Sequence, residues 1–278
     1  MPDIRVNFTN ESGEELHLDK GDDTAELDLS GRNIVGVDLS PLAECPNPRE
    51  LNLSSNSISS IDLEPLGKCQ DLEILSLGSN LLALIDITSL GKCKSLDTFS
   101  LEMNRLQRID LTPLMKCKRL KELNLQSNSF SILDLSPLSK CSALRFLRLD
   151  NNELIGVDLR PLSKCTNLQE LFLENNRFDE IDISPLRSCA SLEGLWLRNT
   201  KILQIDLLPL MECENLLWLD ISDNLMKTVD ITSLFFCGHL ESFMIDDEVP
   251  LMAQADLKDH TWSTPIEEIR DRMFWVEP

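Results

Sequence analysis

The nine cysteines of this chain are Cys45, Cys69, Cys93, Cys117, Cys141, Cys165, Cys189, Cys213 and Cys237, and every interval between them is 24 residues. Chance does not space nine residues this way, and no insertion interrupts the series. Other columns keep the same step. Asp38, Asp62, Asp86, Asp110, Asp134, Asp158, Asp182, Asp206 and Asp230 form one without exception. Pro41, Pro65, Pro113, Pro137, Pro161, Pro185 and Pro209 form another, with Ser89 and Ser233 as exceptions. Asn56, Asn80, Asn104, Asn128, Asn152, Asn176 and Asn224 form a third, with Arg32 and Thr200 as exceptions. A fixed period of this length means a stack of identical supersecondary units, none of which buries its apolar face alone.

One complete unit runs from Leu120 through Leu123, Leu125, Asn128, Phe130, Asp134, Leu135, Pro137 and Leu138 to Cys141. Its LxxLxLxxN signature, Leu120–Leu123–Leu125–Asn128, resembles that of the leucine-rich-repeat family. The following IDLxPLxxC part looks like a short-repeat variant close to the internalin-like class. The resemblance covers about residues 24–248. It implies an α/β repeat solenoid: a curved horseshoe or arc with a parallel concave β-sheet and short 3₁₀ or α turns on the convex side. It says little about the ligand, because function lies in sites carried on the fold.

The residues support the same architecture. Leu123 and Leu125 alternate with Glu122, Asn124 and Gln126, the period-two pattern of a strand with one buried face. Ten such strands stacked in parallel would make a body about 45 Å long. The asparagine after each strand is placed to satisfy backbone groups where the chain turns, repeated as a ladder. Pairs such as Ser40-Pro41, Thr112-Pro113, Ser136-Pro137 and Ser184-Pro185 read as a helix N-cap followed by proline at the first helical position. A short turn would then carry Leu138 and Cys141 inward.

The cysteines are expected to form a buried ladder of small apolar side chains in a reducing compartment, hence a cytoplasmic protein. One cysteine per coil, with no CxxC pair and no neighbouring histidine, lacks zinc-ligand spacing, and no metal or cofactor is expected. The aspartate column has two readings. Each carboxylate can accept backbone N–H bonds in its own turn, or the stack can bind calcium, which takes several oxygen ligands. Lys68, Lys92, Lys116, Lys140 and Lys164 precede five consecutive cysteines. They read as a solvated face near the C-termini of the short turns, or alternatively as a basic ridge for an acidic partner.

The whole chain, 1–278, is expected to be a single domain. Residues 1–23 form an N-terminal cap, 24–239 nine repeats of 24 residues, and 240–278 a final strand and C-terminal cap. The alternating Ile4-Arg5-Val6-Asn7-Phe8 segment would cover the first coil. Thr264-Pro265-Ile266-Glu267 reads as a capping box, with the helix after it presenting Ile266, Ile269, Met273 and Phe274 to the last coil.

Composition narrows the function. A net charge of −21 opposes phosphate backbones and anionic lipid, so neither nucleic acid nor membrane is an expected partner; a basic protein would suit it. No apolar run reaches the roughly 18 residues of a membrane span. No secretory signal is readable in Met1–Asn10. There is no P-loop, GxSxG or HExxH motif, and the only histidines are His17, His239 and His260, so catalysis is not expected.

Variation is concentrated on the strand positions that flank the second leucine. The column after it reads Asp28, Asn52, Ser76, Ser100, Asn124, Arg148, Phe172, Trp196, Asp220, Met244. The column before it reads Glu26, Glu50, Ile74, Thr98, Glu122, Phe146, Glu170, Gly194, Trp218, Ser242. The first half is small, polar and acidic; the second gathers aromatics. Phe172 and Trp196 are expected as direct neighbours, with Phe146 and Trp218 diagonal to them. Rings beside charges have the composition of a binding hot spot. The candidate partner site is therefore Phe146, Arg148, Glu170, Phe172, Glu174, Trp196, Arg198, Trp218, Asp220 and Met244.

The expected function is a non-catalytic protein–protein interaction scaffold or regulator, monomeric, that binds a protein partner on the concave face. Four alternatives remain at the level of sequence. The C-terminal segment could fold back over the rings, or the patch could serve self-association. The chain could also be a secreted or cell-surface recognition module, which the sequons Asn7-Phe8-Thr9 and Asn10-Glu11-Ser12 allow, or a calcium-stabilised structural solenoid.

Overall fold

A computed structural model describes residues 4–21, 25–44, 48–259 and 261–277; Cys45 and His260 lie outside them. Ten parallel strands, each of three residues, build one continuous sheet. They are Glu26–Asp28, Glu50–Asn52, Ile74–Ser76, Thr98–Ser100, Glu122–Asn124, Phe146–Arg148, Glu170–Phe172, Gly194–Trp196, Trp218–Asp220 and Ser242–Met244. Each pairs in register with the residue 24 positions away, so Leu123 lies opposite Leu147 and Leu147 opposite Leu171. This is the expected solenoid, with the sheet on its concave side and 3₁₀ turns behind it.

The leucine columns fill the space between sheet and turns. Leu120, Leu123, Leu125, Leu138 and Cys141 are fully buried, and the same positions are buried in coil after coil. Phe99, Phe130 and Phe178 take the largest buried volumes.

The asparagine ladder forms as expected. Asn80 Nδ2 donates to the carbonyls of Leu53 at 3.0 Å, Leu77 at 3.1 Å and Gly78 at 3.2 Å. Its Oδ1 accepts the Ile58 N–H at 3.0 Å. Asn104, Asn128, Asn152 and Asn176 repeat the pattern. Each side chain thereby ties its own turn to the coil before it. Thr200, one of the two exceptions, instead has its hydroxyl within hydrogen-bond distance of Leu197 O at 2.8 Å and Asn224 Oδ1 at 3.0 Å.

The eight described cysteines are buried thiols. They do more than fill space: each thiol points at a carbonyl of the preceding coil. Cys141 Sγ donates to Leu114 O at 3.3 Å, Cys165 to Leu138 O at 3.4 Å and Cys213 to Leu186 O at 3.5 Å. Burial pushes the thiols up, to about 11 for Cys141 and about 12 for Cys165.

The turn entrance corrects one expectation. The serine or threonine before each proline is the first residue of the 3₁₀ turn, the residue before it is the N-cap, and that cap makes no side-chain bond. The cap function passes to the aspartate two residues upstream of the turn. Asp38, Asp86, Asp134 and Asp182 Oδ1 accept the N–H of Ser40, Thr88, Ser136 and Ser184 at 2.8–2.9 Å. The other five aspartates of the column do the same, and side-chain bonds such as Ser136 to Asp134 hold several of their carboxyls below the ordinary range. Among the described residues no group of three or more His, Cys, Asp or Glu is placed to hold a metal ion. Lys68, Lys92, Lys116, Lys140 and Lys164 each end a 3₁₀ turn and are exposed.

The ends are closed by different means. Ile4–Asn10 pairs antiparallel with Glu15–Lys20 and with Ile34–Asp38, and places Val6 and Phe8 on the core. At the other end the expected helix is short. Thr264–Glu268 is helical, its N-cap is Ser263, and no capping-box side-chain bond forms. Ile266 is buried and Ile269 packs on the core, but Met273 begins a strand, Met273–Val276, in which Phe274 is exposed. That strand lies parallel to Leu251–Gln254, which pairs with Val229–Asp230. No helix among the described residues is long and apolar enough to cross a membrane.

Candidate functional site

The strand register places the predicted residues together on the concave face. Phe172 is opposite Arg148 on one side and Trp196 on the other, and Trp218 is opposite Gly194. Neighbouring strands are about 4.8 Å apart, which suits aromatic plates standing on the sheet and stacking along the solenoid axis. The Phe172 and Trp196 rings stack at 4.2 Å with 7° between planes. Trp218 continues the row at 6.4 Å and 23°. At the other end the Arg148 guanidinium lies 4.1 Å from the Phe172 ring centroid, an attraction between a cation and the electron-rich ring face.

The row differs from an array of four exposed rings. Phe172 is enclosed between Arg148 and Trp196 and is only 8% exposed. Phe146 lies outside the stack, with Arg145 over its ring at 5.5 Å. Trp196 and Trp218 are half-buried, and they present the accessible aromatic surface. The C-terminal segment does not supply the stacking partners. Trp262 and Trp275 pack on Phe235 and on each other instead.

The charged members divide by environment. Arg198 is exposed and paired with Asp223 at 2.7 Å. Asp220 is buried and accepts the Ser222 N–H at 3.0 Å and its hydroxyl at 2.6 Å. Glu170 is half-buried, and burial, opposed by Arg148, raises its carboxyl above the ordinary value. Burial pushes Glu174 up to about 7, with Asp150 and Asp220 adding to the effect. Met244 stands exposed on the last strand beside Asp220.

Sequence reasoning missed two features here. Asp150 is 5% exposed, raised by burial, and sits on the coil before Glu174. Its position directly after the third leucine of its coil was a readable signal, because Glu174 occupies the same column. Asn151, Asn175 and Asn199 form a second, surface ladder, with Nδ2 of Asn175 on Asn151 Oδ1 at 3.0 Å and Nδ2 of Asn199 on Asn175 Oδ1 at 2.9 Å. All three have φ of 51–55°, a left-handed conformation that asparagine tolerates better than most residues.

The sequence matches the family model described as leucine rich repeat over residues 46–106 and 94–154, and the model for two copies of the repeat over 142–183. No curated protein matches the chain. Among solved structures, a leucine-rich-repeat protein of Leptospira interrogans is similar at 19% identity and a TM-score of 0.73. The match covers 91% of this chain and 66% of that one, so this chain spans just under two thirds of it. Internalin C2 of Listeria monocytogenes is similar at 27% identity and a TM-score of 0.58, over 70% of this chain and 80% of that one. A plant peptide hormone receptor, RGFR1 in complex with RGF2, is similar at 20% identity and a TM-score of 0.60, over 77% of this chain and 38% of that one. Such folds generally mediate protein–protein interaction and are generally non-catalytic. With the 24-residue register, the asparagine ladder and these matches agreeing, the chain belongs to the leucine-rich-repeat family.

Proposed function

We propose that this protein is a non-catalytic interaction scaffold or regulator that binds a protein partner on the C-terminal half of its concave face. The observation that carries the reading is the pre-formed stack of Phe172, Trp196 and Trp218, continuous with Arg148 and bordered by Glu170, Glu174 and Asp220. A rigid aromatic row at the centre of a charged rim is where truncation usually costs most binding energy, and pre-ordered rings lose little freedom on binding. The plant receptor solved with its peptide partner supports the same use of the fold. The ladder of buried thiols supports a reducing compartment such as the cytoplasm.

Affinity capture from native lysate tests the reading. A Trp196→Ala, Trp218→Ala double variant, with its fold checked by circular dichroism, should lose the partner that the wild type retains. Equal capture by both would move function off this face.

A further inference from the structure

The acid-bordered side of the stack has an electrostatic deficit. Asp150 Oδ2 accepts Asn151 Nδ2 at 2.6 Å, but Asp150 Oδ1 is buried without a hydrogen-bond partner, in a residue 5% exposed. Glu174 Oε2 is also buried without a partner. The two residues occupy the same column on adjoining coils, tied there by the Asn151 N–H to Glu174 O bond of 2.9 Å. Buried polar atoms in native proteins nearly always have a partner, and two orphaned carboxylate oxygens on one surface call for a donor.

The cations already present make their direct contacts elsewhere, and Arg148 acts on Asp150 and Glu174 only through its charge. The Arg148 guanidinium lies over the Phe172 ring at 4.1 Å and donates to Gln126 Oε1 at 3.3 Å. Arg198 occupies the same column as Glu174, one coil further on, and turns away to Asp223. The next position of that column, Ser222, is neutral and engaged with Asp220. Two further acids, Asp220 and Glu170, line the row, so the neighbourhood is strongly negative within a chain of net charge −21.

We propose that this acidic niche receives an arginine or lysine side chain from an extended basic segment of the partner. The cationic head would be held by Asp150 and Glu174, and the aliphatic stem would lie against the edge of the aromatic row. A basic side chain meets both halves of the site, because its head supplies charge-assisted donors and its stem is apolar. The long-range field of the acidic chain favours encounter with such a segment. This inference rests on the concave-face reading and specifies its ligand.

The test selects binders from a displayed library of random linear 12-residue peptides on the intact protein at physiological salt. Recovered peptides are then titrated against four proteins: wild type, Asp150→Asn with Glu174→Gln, Trp196→Ala with Trp218→Ala, and a charge-matched control, Glu44→Gln with Asp71→Asn. The neutral isosteres remove unpaired charge and keep the side-chain shapes; if the acid double variant fails to melt cooperatively, Glu174→Gln alone replaces it. The expected result is a consensus with one arginine or lysine, affinity at least ten-fold weaker for the acid variant, and a change within two-fold for the control. Peptides that need Trp196 and Trp218 but carry no basic consensus, and bind the acid variant equally, would overturn the inference and leave the concave site standing. Peptides indifferent to both double variants, or a library without binders, would sink both readings. Equal weakening in the control would reduce the effect to overall charge and overturn the niche.

Discussion

Trp196 lies across Gly194, two residues earlier on its own strand: a Cβ at 194 would stand 2.1 Å from the far edge of the indole. The missing side chain therefore creates the space in which the ring stands beside Phe172 and Trp218. Gly194→Ala should push the indole out and unstack it. The near-UV circular dichroism of the stacked rings should fall, with a stability loss of about 1 kcal/mol, the scale of one aromatic pair. An unchanged spectrum would show that the stack does not depend on Gly194.

The thiol ladder predicts chemical silence. With thiols pushed up to about 11 or 12 and fully enclosed, the reactive thiolate is scarce at pH 8. The eight described cysteines should resist a disulfide reagent in the native protein and react together once urea unfolds it. Cys141→Ala should cost roughly 1 kcal/mol, from lost packing and the lost thiol bond to Leu114 O, which keeps the Cys117 N–H at 2.9 Å. Rapid native reaction of several thiols would contradict the ladder.

Thr200, an exception in the asparagine column, is a site for repair. Asn176 Oδ1 accepts the Leu154 N–H and Asn224 Oδ1 accepts the Ile202 N–H. Asparagine at 200 would offer the same acceptor to the Phe178 N–H, which threonine does not reach. Thr200→Asn should stabilise the protein by about 1 kcal/mol, measured by urea unfolding. Asn128→Ala should destabilise it by about 2–3 kcal/mol, since buried backbone groups on two coils lose their partner. Similar effects of both substitutions would remove the ladder from the account of stability.

Glu174 sets a pH dependence of definite sign. Its ordinary value is 4.5 and burial raises it to about 7 in the folded chain, with Asp150 and Asp220 reinforcing and Arg148 opposing. Between these values the unfolded chain has released a proton that the native chain retains, so stability falls as pH rises through this window. Glu174→Gln should flatten that slope. It should match wild type near pH 5 and exceed it at pH 8 by on the order of 1 kcal/mol, because partial exposure screens the effect. A slope unchanged by the substitution would show that Glu174 does not titrate there.

Much of this was readable because the same residue recurs at the same point of every coil. Asn56 through Asn224 and Cys69 through Cys237 each face one repeated environment, so one pattern specifies many contacts. The turn entrance was misread because Ser136 stands next to Pro137, and that pair imitates a helix cap; the acceptor is Asp134, whose short side chain reaches the Ser136 N–H. Phe172 was placed in the right column, but its enclosure depends on how Arg148 and Trp196 lean over it, which spacing alone does not encode. Glu174 was placed in the site but Asp150 was not, although the two share a column, because that column varies from Ser54 and Gly78 to Gln126 and Arg198 and spacing does not encode burial. The C-terminal cap has no repeated template, and its helix proved to be five residues followed by a strand.

The bonds of Asn80 to Leu53 and of Cys141 to Leu114 each cross a single boundary, from one coil to the one before it. The protein therefore has the mechanical character of a spool. Tension applied to its ends should unwind it one loop at a time, each event releasing 24 residues, or about 80 Å of contour. The remaining loops stay wound, and every release uncovers a fresh surface identical in kind to the last.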